Sequence, residues 1–363
     1  MTSGLEGVVA AETALSDVDG QAGRLVIRGY ELDELAGRTT FEAAAHLLLD
    51  GLIDDLPTPE ILLARLGAAR AQVFDEAAAL DATLLAHGPF DAMRALTARL
   101  SDGDDLDTAL RLLAGPAVFA TAAIRRRQGL QPVRPDPALG QSADMLRMLT
   151  DEAPKPAQAA ALDAYLVTII DHGLNASTFA ARVVASTRAG LTSAALAGLS
   201  ALKGPLHGGA PGPVIEMLDA IGSPENARAW LAARLDAGER LMGFGHRVYR
   251  VRDPRADALK RALSTLSGGS GPVAARLAHA EAVEAAALEL LHERKPQRTL
   301  RTNVEFYTAV LLEALGFPAD AFTCVFAAGR MAGWIAHARA QVLSGRLIRP
   351  SSLYVGPKPR QAA

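Results

Sequence analysis

The sequence contains very little of what secreted, disulfide-bonded or membrane proteins carry. Its 363 residues include a single cysteine, Cys324, which cannot form an internal disulfide and is expected to be a buried core thiol. No stretch reaches the roughly 18 consecutive apolar residues of a membrane span, and the first residues carry neither the basic nor the apolar part of an export signal. We therefore expect a cytoplasmic protein with no membrane partner.

The sequence also lacks the motifs that mark several common kinds of binding and catalytic site. The eight histidines are scattered, with no His-Glu-x-x-His pair, so we expect no metal ion and no cofactor. There is neither a phosphate-binding loop of the Gly-x-x-x-x-Gly-Lys type nor a Gly-x-Ser-x-Gly nucleophile elbow. The net charge of −3 offers no basic footprint for a nucleic acid, so none is expected as a partner.

Helical patterns dominate the chain. Alternating β-branched stretches are nearly absent, and only residues 25–30 suggest a short strand or hairpin arm. Thr39 and Glu42 have the spacing of a capping box, and Thr58 with Pro59 is typical of a helix start. Segments rich in Ala, Leu, Arg and Glu predict helices at 60–75, 105–127, 138–150, 156–170, 225–240 and 273–293. The fold class is therefore predicted to be mostly α.

Two histidines stand in segments that could be structural or functional. His172 lies in residues 171–178, which end an apolar stretch. Taken alone, a hydrogen-bonded histidine at a helix end is the favoured interpretation. His207 lies among glycines and prolines in residues 203–212, where glycine permits close approach of a ligand to the backbone. Here a structural turn and a binding site are equally supported.

Two further segments carry charged residues. Residues 243–255 place His246 after a glycine turn and four arginines within nine residues. Arginine forks recognise carboxylates and phosphates, so this segment favours an anion site. In residues 301–307, Asn303 is suited to an N-cap, which puts Glu305 in the first helical turn. By itself, Glu305 is best explained as an acid that complements the helix dipole.

Taken together, these segments resemble the citrate synthase family. The resemblance covers nearly the whole chain, in the expected order, through residues 4–8, 30–35, 171–178, 204–209, 243–255, 303–307, 328–337 and 349–350. One such motif would be weak evidence, whereas the whole set in order with compatible spacings is highly specific. The chain is most similar to the short bacterial form, of the citrate synthase or 2-methylcitrate synthase type.

The resemblance implies a mostly α, citrate synthase-like fold. A large helical domain would comprise residues 1–208 and 317–363. A smaller helical domain, residues 209–316, would be inserted into it and would close over the active site. The implied unit is a homodimer whose active sites are completed across the interface.

Three positions match the family's catalytic residues. By the resemblance, His207 would stabilise the developing enolate oxygen of the acyl thioester, and His246 would polarise the carbonyl of oxaloacetate. Glu305 would remove the α-proton of the thioester, at a position where the family usually has aspartate. Glutamate adds one methylene, and a displacement of about 1 Å can cost on the order of a hundredfold in rate. Its effect on the rate therefore stays open.

Five positions match the family's binding residues. Oxaloacetate would be bound by His172, Arg255 and Arg330, and by Arg349 of the partner subunit. Because oxaloacetate is a dianion, a set of arginines suits it. Arg250 matches a position that contacts a phosphate of coenzyme A.

The implied reaction joins acetyl-CoA and oxaloacetate to give citrate and CoA. Propionyl-CoA, the substrate of 2-methylcitrate synthases, differs by one methylene, which is worth only about 1–3 kcal/mol in a pocket. The sequence therefore leaves the acyl group open. A noncatalytic homologue that senses oxaloacetate or acyl-CoA, and a citrate-cleaving lyase of the same fold, are the remaining alternatives. The complete set of histidines and arginines argues against the sensor.

Overall fold

The structure is a computed structural model that describes residues 4–5, 7–207, 212–246 and 248–358. Near its start lies one antiparallel sheet in the order β1-β2-β3, made of β1 (Ser16–Asp19), β2 (Arg24–Ile27) and β3 (Tyr30–Glu31). The segment 25–30, predicted as a short strand or hairpin arm, thus contains most of β2, the turn and the start of β3. It turns at Arg28 and Gly29, which both have positive φ as a two-residue hairpin turn requires.

Helices form the rest of the architecture, which confirms the mostly α prediction. The first eight are α1 (Leu32–Leu35), α2 (Phe41–Leu49), α3 (Pro59–Val73), α4 (Ala82–Ala86), α5 (Pro89–Thr97), α6 (Leu106–Arg127), α7 (Gln141–Thr150) and α8 (Pro156–Thr168). The others are α9 (Ala176–Ala185), α10 (Leu191–Leu202), α11 (Gly212–Ile221), α12 (Ala227–Asp236), α13 (Pro254–Ser267), α14 (Gly271–Arg294), α15 (Val304–Ala314) and α16 (Phe322–Ser344). Short 3-10 turns occupy Phe74–Ala79, Pro224–Asn226 and Ala319–Ala321.

The predicted capping box before α2 is wrong. The N-cap is Thr40, whose side chain accepts a hydrogen bond from the backbone N–H of Ala43 at 3.3 Å. Glu42 instead turns away and accepts the N–H of Gln141, the first residue of α7, at 2.5 Å. The buried carboxylate of Glu42 therefore satisfies a free N–H of another helix, a partner that local spacing could not reveal.

The core is built around two long helices, α6 and α16. Helix α6 is the one described helix that is long and apolar enough to cross a membrane, and it is almost entirely buried inside the protein. Helix α16 is buried along most of its length, and Cys324 on it is completely inaccessible, as predicted. These two helices pack against each other and against their neighbours α5, α9 and α10.

Glycines on α16 bring it very close to the end of α8. A Cβ on Gly329 would lie 2.8 Å from the side chain of Ile169, and one on Gly333 would lie 2.5 Å from the carbonyl oxygen of Ile170. Only glycine permits this approach. As a result Arg330, between the two glycines, is held beside the segment that carries His172.

Helices α11 to α15 pack largely on one another. Helix α14 contacts α11, α12, α13 and α15, while α13 and α15 also contact α8. Residues 212–315 are thus joined to the rest of the protein mainly where α13 and α15 meet it. The division into domains at 209 and 316 stays a prediction.

Candidate active site

The segment that follows α8 carries His172 and is held in place by a series of buried hydrogen bonds. Asp171 accepts hydrogen bonds from Ser16 Oγ at 2.5 Å and from His337 Nε2 at 3.2 Å. Burial alone would raise the pKa of Asp171, but His337 and the hydrogen bond from Ser16 hold it below its ordinary value. Ser16 Oγ in turn accepts the N–H of Gly173 at 2.8 Å, so the backbone on both sides of His172 is held.

His172 lies within a cluster of rings. Its Nε2 is 3.2 Å from the hydroxyl of Tyr249, and its ring centre is 5.8 Å from that of His246. Burial, followed by the positive charges of Arg255 and Arg330, holds the pKa of His172 well below its usual range. His172 is therefore a neutral imidazole at pH 7, hydrogen-bonded as predicted.

The protonation of His246 follows from its hydrogen bonds. Its Nδ1 accepts two backbone N–H groups, from Val248 and from Tyr249, each at 3.0 Å. Burial, with a further effect of Arg255, lowers the pKa of His246 to about 4. A neutral ring that accepts at Nδ1 must carry its proton on Nε2. His246 therefore offers one N–H donor toward the site.

That donor faces a second one. Nε2 of His246 lies 3.2 Å from Nη2 of Arg255, and a guanidinium can only donate. Two donors at this distance cannot satisfy each other. Nη2 of Arg255 also donates to Asp253 at 2.8 Å, which leaves its second hydrogen, together with the N–H of His246, for an acceptor within reach of both. A carbonyl or carboxylate oxygen of a ligand is the group that fits this arrangement.

The first turn of α15 is placed by its N-cap. As predicted, Asn303 caps the helix, and its side-chain oxygen accepts the N–H of Glu305 at 3.0 Å. Its amide donates to the carbonyl oxygen of Gly245 at 2.8 Å, which ties α15 to the segment that holds His246. Gly243 has φ of 83°, and a Cβ there would lie 2.8 Å from the ring of Phe306, so glycine is required for this contact.

Glu305 is far from an ordinary solvated helix-dipole acid. Its side chain is half-buried, and Oε2 is inaccessible to solvent and has no hydrogen-bond partner within the described chain. Burial raises the pKa of Glu305 to about 7, with Asp253 adding to the rise and Arg255 and Arg330 opposing it. A carboxyl group that titrates near neutrality in a buried site is suited to accept a proton.

Three buried polar atoms without hydrogen-bond partners in the described chain lie near this carboxyl. The hydroxyl of Tyr165 lies beside that of Thr308, one turn along α15 from Glu305, and both hydroxyls are buried without a hydrogen bond in the described structure. Nη2 of Arg330 is likewise buried and unpaired, although its Nε donates to the carbonyl oxygen of Ile169 at 2.5 Å. Burial lowers the pKa of Arg330 to about 10, so it stays a cation at pH 7.

His207 is held by Ser177 at the start of α9. Its Nε2 is 2.7 Å from Ser177 Oγ and accepts the backbone N–H of Ser177 at 3.3 Å, which leaves the ring proton on Nδ1. Trp334 donates to the same hydroxyl at 3.1 Å. Burial, with Arg330 second, lowers the pKa of His207 to about 4. The residues that follow, 208–211, lie outside the described chain.

Two predicted residues are separate from this group. Arg250 is exposed, and its backbone N–H donates to the carbonyl oxygen of Gly20 at 2.7 Å. Arg349 is exposed in the extended segment after α16, next to Ile348, whose N–H donates to Ser186 at 3.1 Å. No hydrogen bond or ion pair within the described residues joins either arginine to the group around His172.

The site that results contains two guanidinium groups, the carboxyl groups of Glu305 and Asp253, and three neutral histidines. Such a set can bind an anion, stabilise oxygen atoms that gain charge and accept a proton. Among the described residues, no cluster of His, Cys, Asp or Glu is arranged to hold a metal ion.

Sequence reasoning missed several residues that the structure places here. Tyr249, Asp253 and Ser177 lie inside the segments already singled out, and the Asp-Pro pair at 253–254 is itself a helix-start signal. Tyr165 and Thr308 carry no such signal, because each sits in an apolar helical stretch and meets the other only through packing of α8 on α15.

Comparison with known proteins agrees with this picture. The family model described as "Citrate synthase, C-terminal domain" matches residues 4–351. A citrate synthase of Haloferax volcanii is 40% identical over 374 residues, covering 98% of this chain and 96% of its own. A 2-methylcitrate synthase of Mycobacterium tuberculosis is 37% identical over 368 residues, with coverage of 98% and 91%.

A solved structure shows the same relationship. The ternary complex of citrate synthase from Thermoplasma acidophilum with carboxymethyl coenzyme A and oxaloacetate has a TM-score of 0.82 and 27% identity, and covers 100% of this chain and 98% of that one. The match extends over essentially the whole length in each comparison. The chain therefore belongs to the citrate synthase family and is an acyltransferase of the citrate synthase type, which catalyses the family's condensing reaction.

Proposed function

We propose that this enzyme is a citrate synthase that condenses acetyl-CoA with oxaloacetate. The observation that carries the proposal is the grouping of Glu305 with the paired donors of His246 and Arg255. The citrate synthase from Thermoplasma acidophilum forms a ternary complex with oxaloacetate and carboxymethyl coenzyme A. A site with two arginines and a proton-accepting carboxyl suits the same two ligands here.

In the proposed first step, Glu305 takes a proton from the α-carbon of the acyl thioester. The electron pair left behind moves onto the thioester oxygen, which becomes an enolate. The Nδ1–H of His207 would donate to this oxygen, so the charge develops against a fixed donor in a site shielded from water. Because His207 is neutral, it stabilises the oxygen without repelling the two nearby cations.

In the second step, the enolate carbon attacks the ketone carbon of oxaloacetate. Nε2–H of His246 and Nη2 of Arg255 share the position where an acceptor oxygen fits, and the ketone oxygen would gain its proton there. Arg255 and Arg330, with the neutral His172, would hold the carboxylates of the dianion. Water then hydrolyses the thioester to release citrate and CoA.

We further propose a cytoplasmic homodimer that binds each acyl-CoA with Arg250 and completes each oxaloacetate site with Arg349 of the partner subunit. Both side chains are exposed in the described chain. An arginine that is solvent-exposed in one subunit is free to form such a contact with a ligand or across an interface.

The direct test is release of the CoA thiol. Purified protein without added metal should release thiol from acetyl-CoA when oxaloacetate is present, and not when it is omitted. A preparation that is folded by circular dichroism yet inactive with both acetyl-CoA and propionyl-CoA would reject the enzyme and favour an oxaloacetate or acyl-CoA sensor.

The second candidate is a 2-methylcitrate synthase. It is favoured by the 37% identity to the mycobacterial 2-methylcitrate synthase. Comparing kcat/KM for acetyl-CoA and propionyl-CoA at saturating oxaloacetate decides between them. One methylene changes this ratio by only about 10- to 200-fold, so both substrates should be turned over at measurable rates.

The dependence on pH should report Glu305. A base acts only when ionised, and the pKa of Glu305 is raised to about 7. We expect kcat/KM for the acyl-CoA to fall about tenfold per pH unit below 7 and to level off above it. His207 and His246, with pKa values near 4, should add no further step between pH 5.5 and 8.5. A profile that stays flat down to pH 5.5 would contradict this assignment.

A further inference from the structure

Asp253 occupies the junction between the two helices that carry Arg255 and Glu305. It is 1% exposed and is the N-cap of α13. Its Oδ1 accepts the backbone N–H of Arg255 at 3.0 Å and the Nε of the same residue at 3.0 Å. Its Oδ2 accepts Nη2 of Arg255 at 2.8 Å and the backbone N–H of Val304 at 3.1 Å.

One carboxylate thus serves two helix starts and one guanidinium. Val304 is the first residue of α15, and its N–H is one of the donors that the helix itself cannot satisfy. The pair with Arg255 is fork-on-fork and almost fully buried, with side-chain exposures of 4% and 1%. A buried pair of this geometry holds its partners in one arrangement, because separating either one leaves an uncompensated charge.

The consequence concerns distance between the two reactants. The guanidinium of Arg255 is the proposed contact for oxaloacetate. Glu305, the proposed base for the acyl-CoA, is the residue directly after Val304, so the position of the Val304 backbone sets that of Glu305. Because Asp253 contacts both Arg255 and Val304, it fixes the anion-binding group relative to the proton-accepting group. A shift of about 1 Å between such groups can cost on the order of a hundredfold in rate.

We infer that Asp253 is a positioning residue that locks Arg255 and the first turn of α15 into one unit, so that oxaloacetate bound at Arg255 lies at the distance from Glu305 that condensation needs. The inference rests on the proposed function, since it assumes that these residues bind the two substrates.

The charges around Glu305 give this role a distinctive signature. The charged and titratable groups that interact with it are Asp253 and Arg255 at the start of α13, Arg330 on α16 and Tyr165 on α8. Asp253 raises the pKa of Glu305, and the two arginines lower it. Removing the charge of Asp253 should therefore move the acid limb of the pH–rate profile to lower pH, which a purely structural defect would not do.

The experiment uses two variants of the full-length enzyme. Asp253→Asn keeps the shape but replaces one acceptor oxygen with a donor. Asp253→Ser keeps a good N-cap for α13 while removing the contacts to the guanidinium of Arg255 and to the N–H of Val304. Asp257→Asn is the matched control, since Asp257 lies one turn further along α13, pairs with Arg252 and is 41% exposed.

For both Asp253 variants we expect kcat to fall about tenfold to a hundredfold and KM for oxaloacetate to rise. The acid limb should shift to lower pH. Amide hydrogen exchange in the first turn of α15 should become faster. Asp257→Asn should keep kcat, KM and exchange near wild-type values. Hydrogen exchange needs no turnover, so it tests the link between α13 and α15 even in a variant of low activity.

The outcomes separate the two claims. If the wild-type enzyme shows no oxaloacetate-dependent thiol release, the proposed function fails. If the wild type is active and both Asp253 variants keep its kcat, pH midpoint and exchange rates, only the positioning role is overturned. A variant that loses activity solely in proportion to its unfolded fraction, with KM and pH midpoint unchanged, also overturns it.

Discussion

Replacing Glu305 with glutamine should lower kcat on the order of 10²- to 10⁴-fold, the usual contribution of a general base. Glutamine keeps the size of the side chain but cannot accept a proton from carbon. The affinity for oxaloacetate should change little, because the proposed contacts to that substrate come from the arginines and histidines. Thiol release and exchange of the α-protons of acetyl-CoA should both be measured, and both should fall.

Glu60→Gln is the matched control for this substitution. Glu60 is the second residue of α3, as Glu305 is of α15. Unlike Glu305, it is exposed, and it is not one of the residues of the candidate active site. An exposed acid at a helix start complements the helix dipole only weakly and takes no part in the proposed chemistry, so Glu60→Gln should keep full turnover. Wild-type turnover in Glu305→Gln as well would remove Glu305 from the mechanism.

Thermal unfolding shows whether a loss of activity reflects misfolding. The pKa of Glu305 in the folded protein, about 7, lies above its ordinary value of 4.5, so the folded state binds the proton more tightly than the unfolded state. The stability from this group is present below pH 4.5 and is lost as the pH rises through 7. Glutamine carries no such loss, and Glu305→Gln should have a Tm at pH 8 equal to or above that of the wild type.

Glu305→Asp tests the geometry of the same group. The site is built around the longer side chain, so we expect aspartate, the usual family residue, to work more slowly here because its carboxylate is withdrawn from the α-proton. A faster Glu305→Asp enzyme would show that the glutamate is a handicap for acetyl-CoA. The comparison should then be repeated with propionyl-CoA.

Arg349→Ala should raise KM for oxaloacetate on the order of a hundredfold or more, since truncating one member of a buried charge pair typically costs about 2–5 kcal/mol. If Arg349 acts across a dimer interface, mixing Arg349→Ala with Glu305→Gln subunits should restore activity. Each mixed dimer would then have one site with both residues intact. Random exchange would restore about a quarter of the sites.

The mixing experiment needs proof that subunits have exchanged. Differently tagged chains, purified through both tags in sequence, provide it. Arg346→Ala is the matched control, because Arg346 is an exposed arginine three positions earlier in the same extended segment, and its substitution should leave KM unchanged. Absence of activity in doubly purified dimers would place Arg349 in the site of its own subunit or outside catalysis.

Much of this protein could be predicted from short-range patterns. Segments rich in Ala, Leu, Arg and Glu predicted α3, α6, α7, α8, α12 and α14 to within a few residues, because these side chains lose little freedom in a helix. Asn303 was predicted as an N-cap because a cap acts on the residues two or three positions ahead of it. The ordered motifs identified the family, which the comparisons show.

The capping box shows where such patterns fail. Glu42 has the right spacing to bond back to its own helix, yet it caps α7, which begins 99 positions later in the chain. Spacing reports which contacts are locally available, and packing decides which one is made. The same is true of Ser177 and His207, which lie 30 positions apart in the chain. They form a hydrogen bond only because the fold places the start of α9 beside the residues that follow α10.

The sequence by itself therefore determined the mostly α class, the positions of several helices, the family and the chemical groups at hand. Only the tertiary structure decided their chemical state. Glu305 looks like an ordinary first-turn acid in the sequence. It becomes a candidate base because folding buries Oε2 without a hydrogen-bond partner among the described residues and raises the pKa of Glu305 to about 7. Asp253 likewise becomes the link between α13 and α15 because Val304, 51 positions away, folds against it. Helix formation depends on neighbours within a few residues, whereas desolvation and long-range contacts depend on every element that packs around the group.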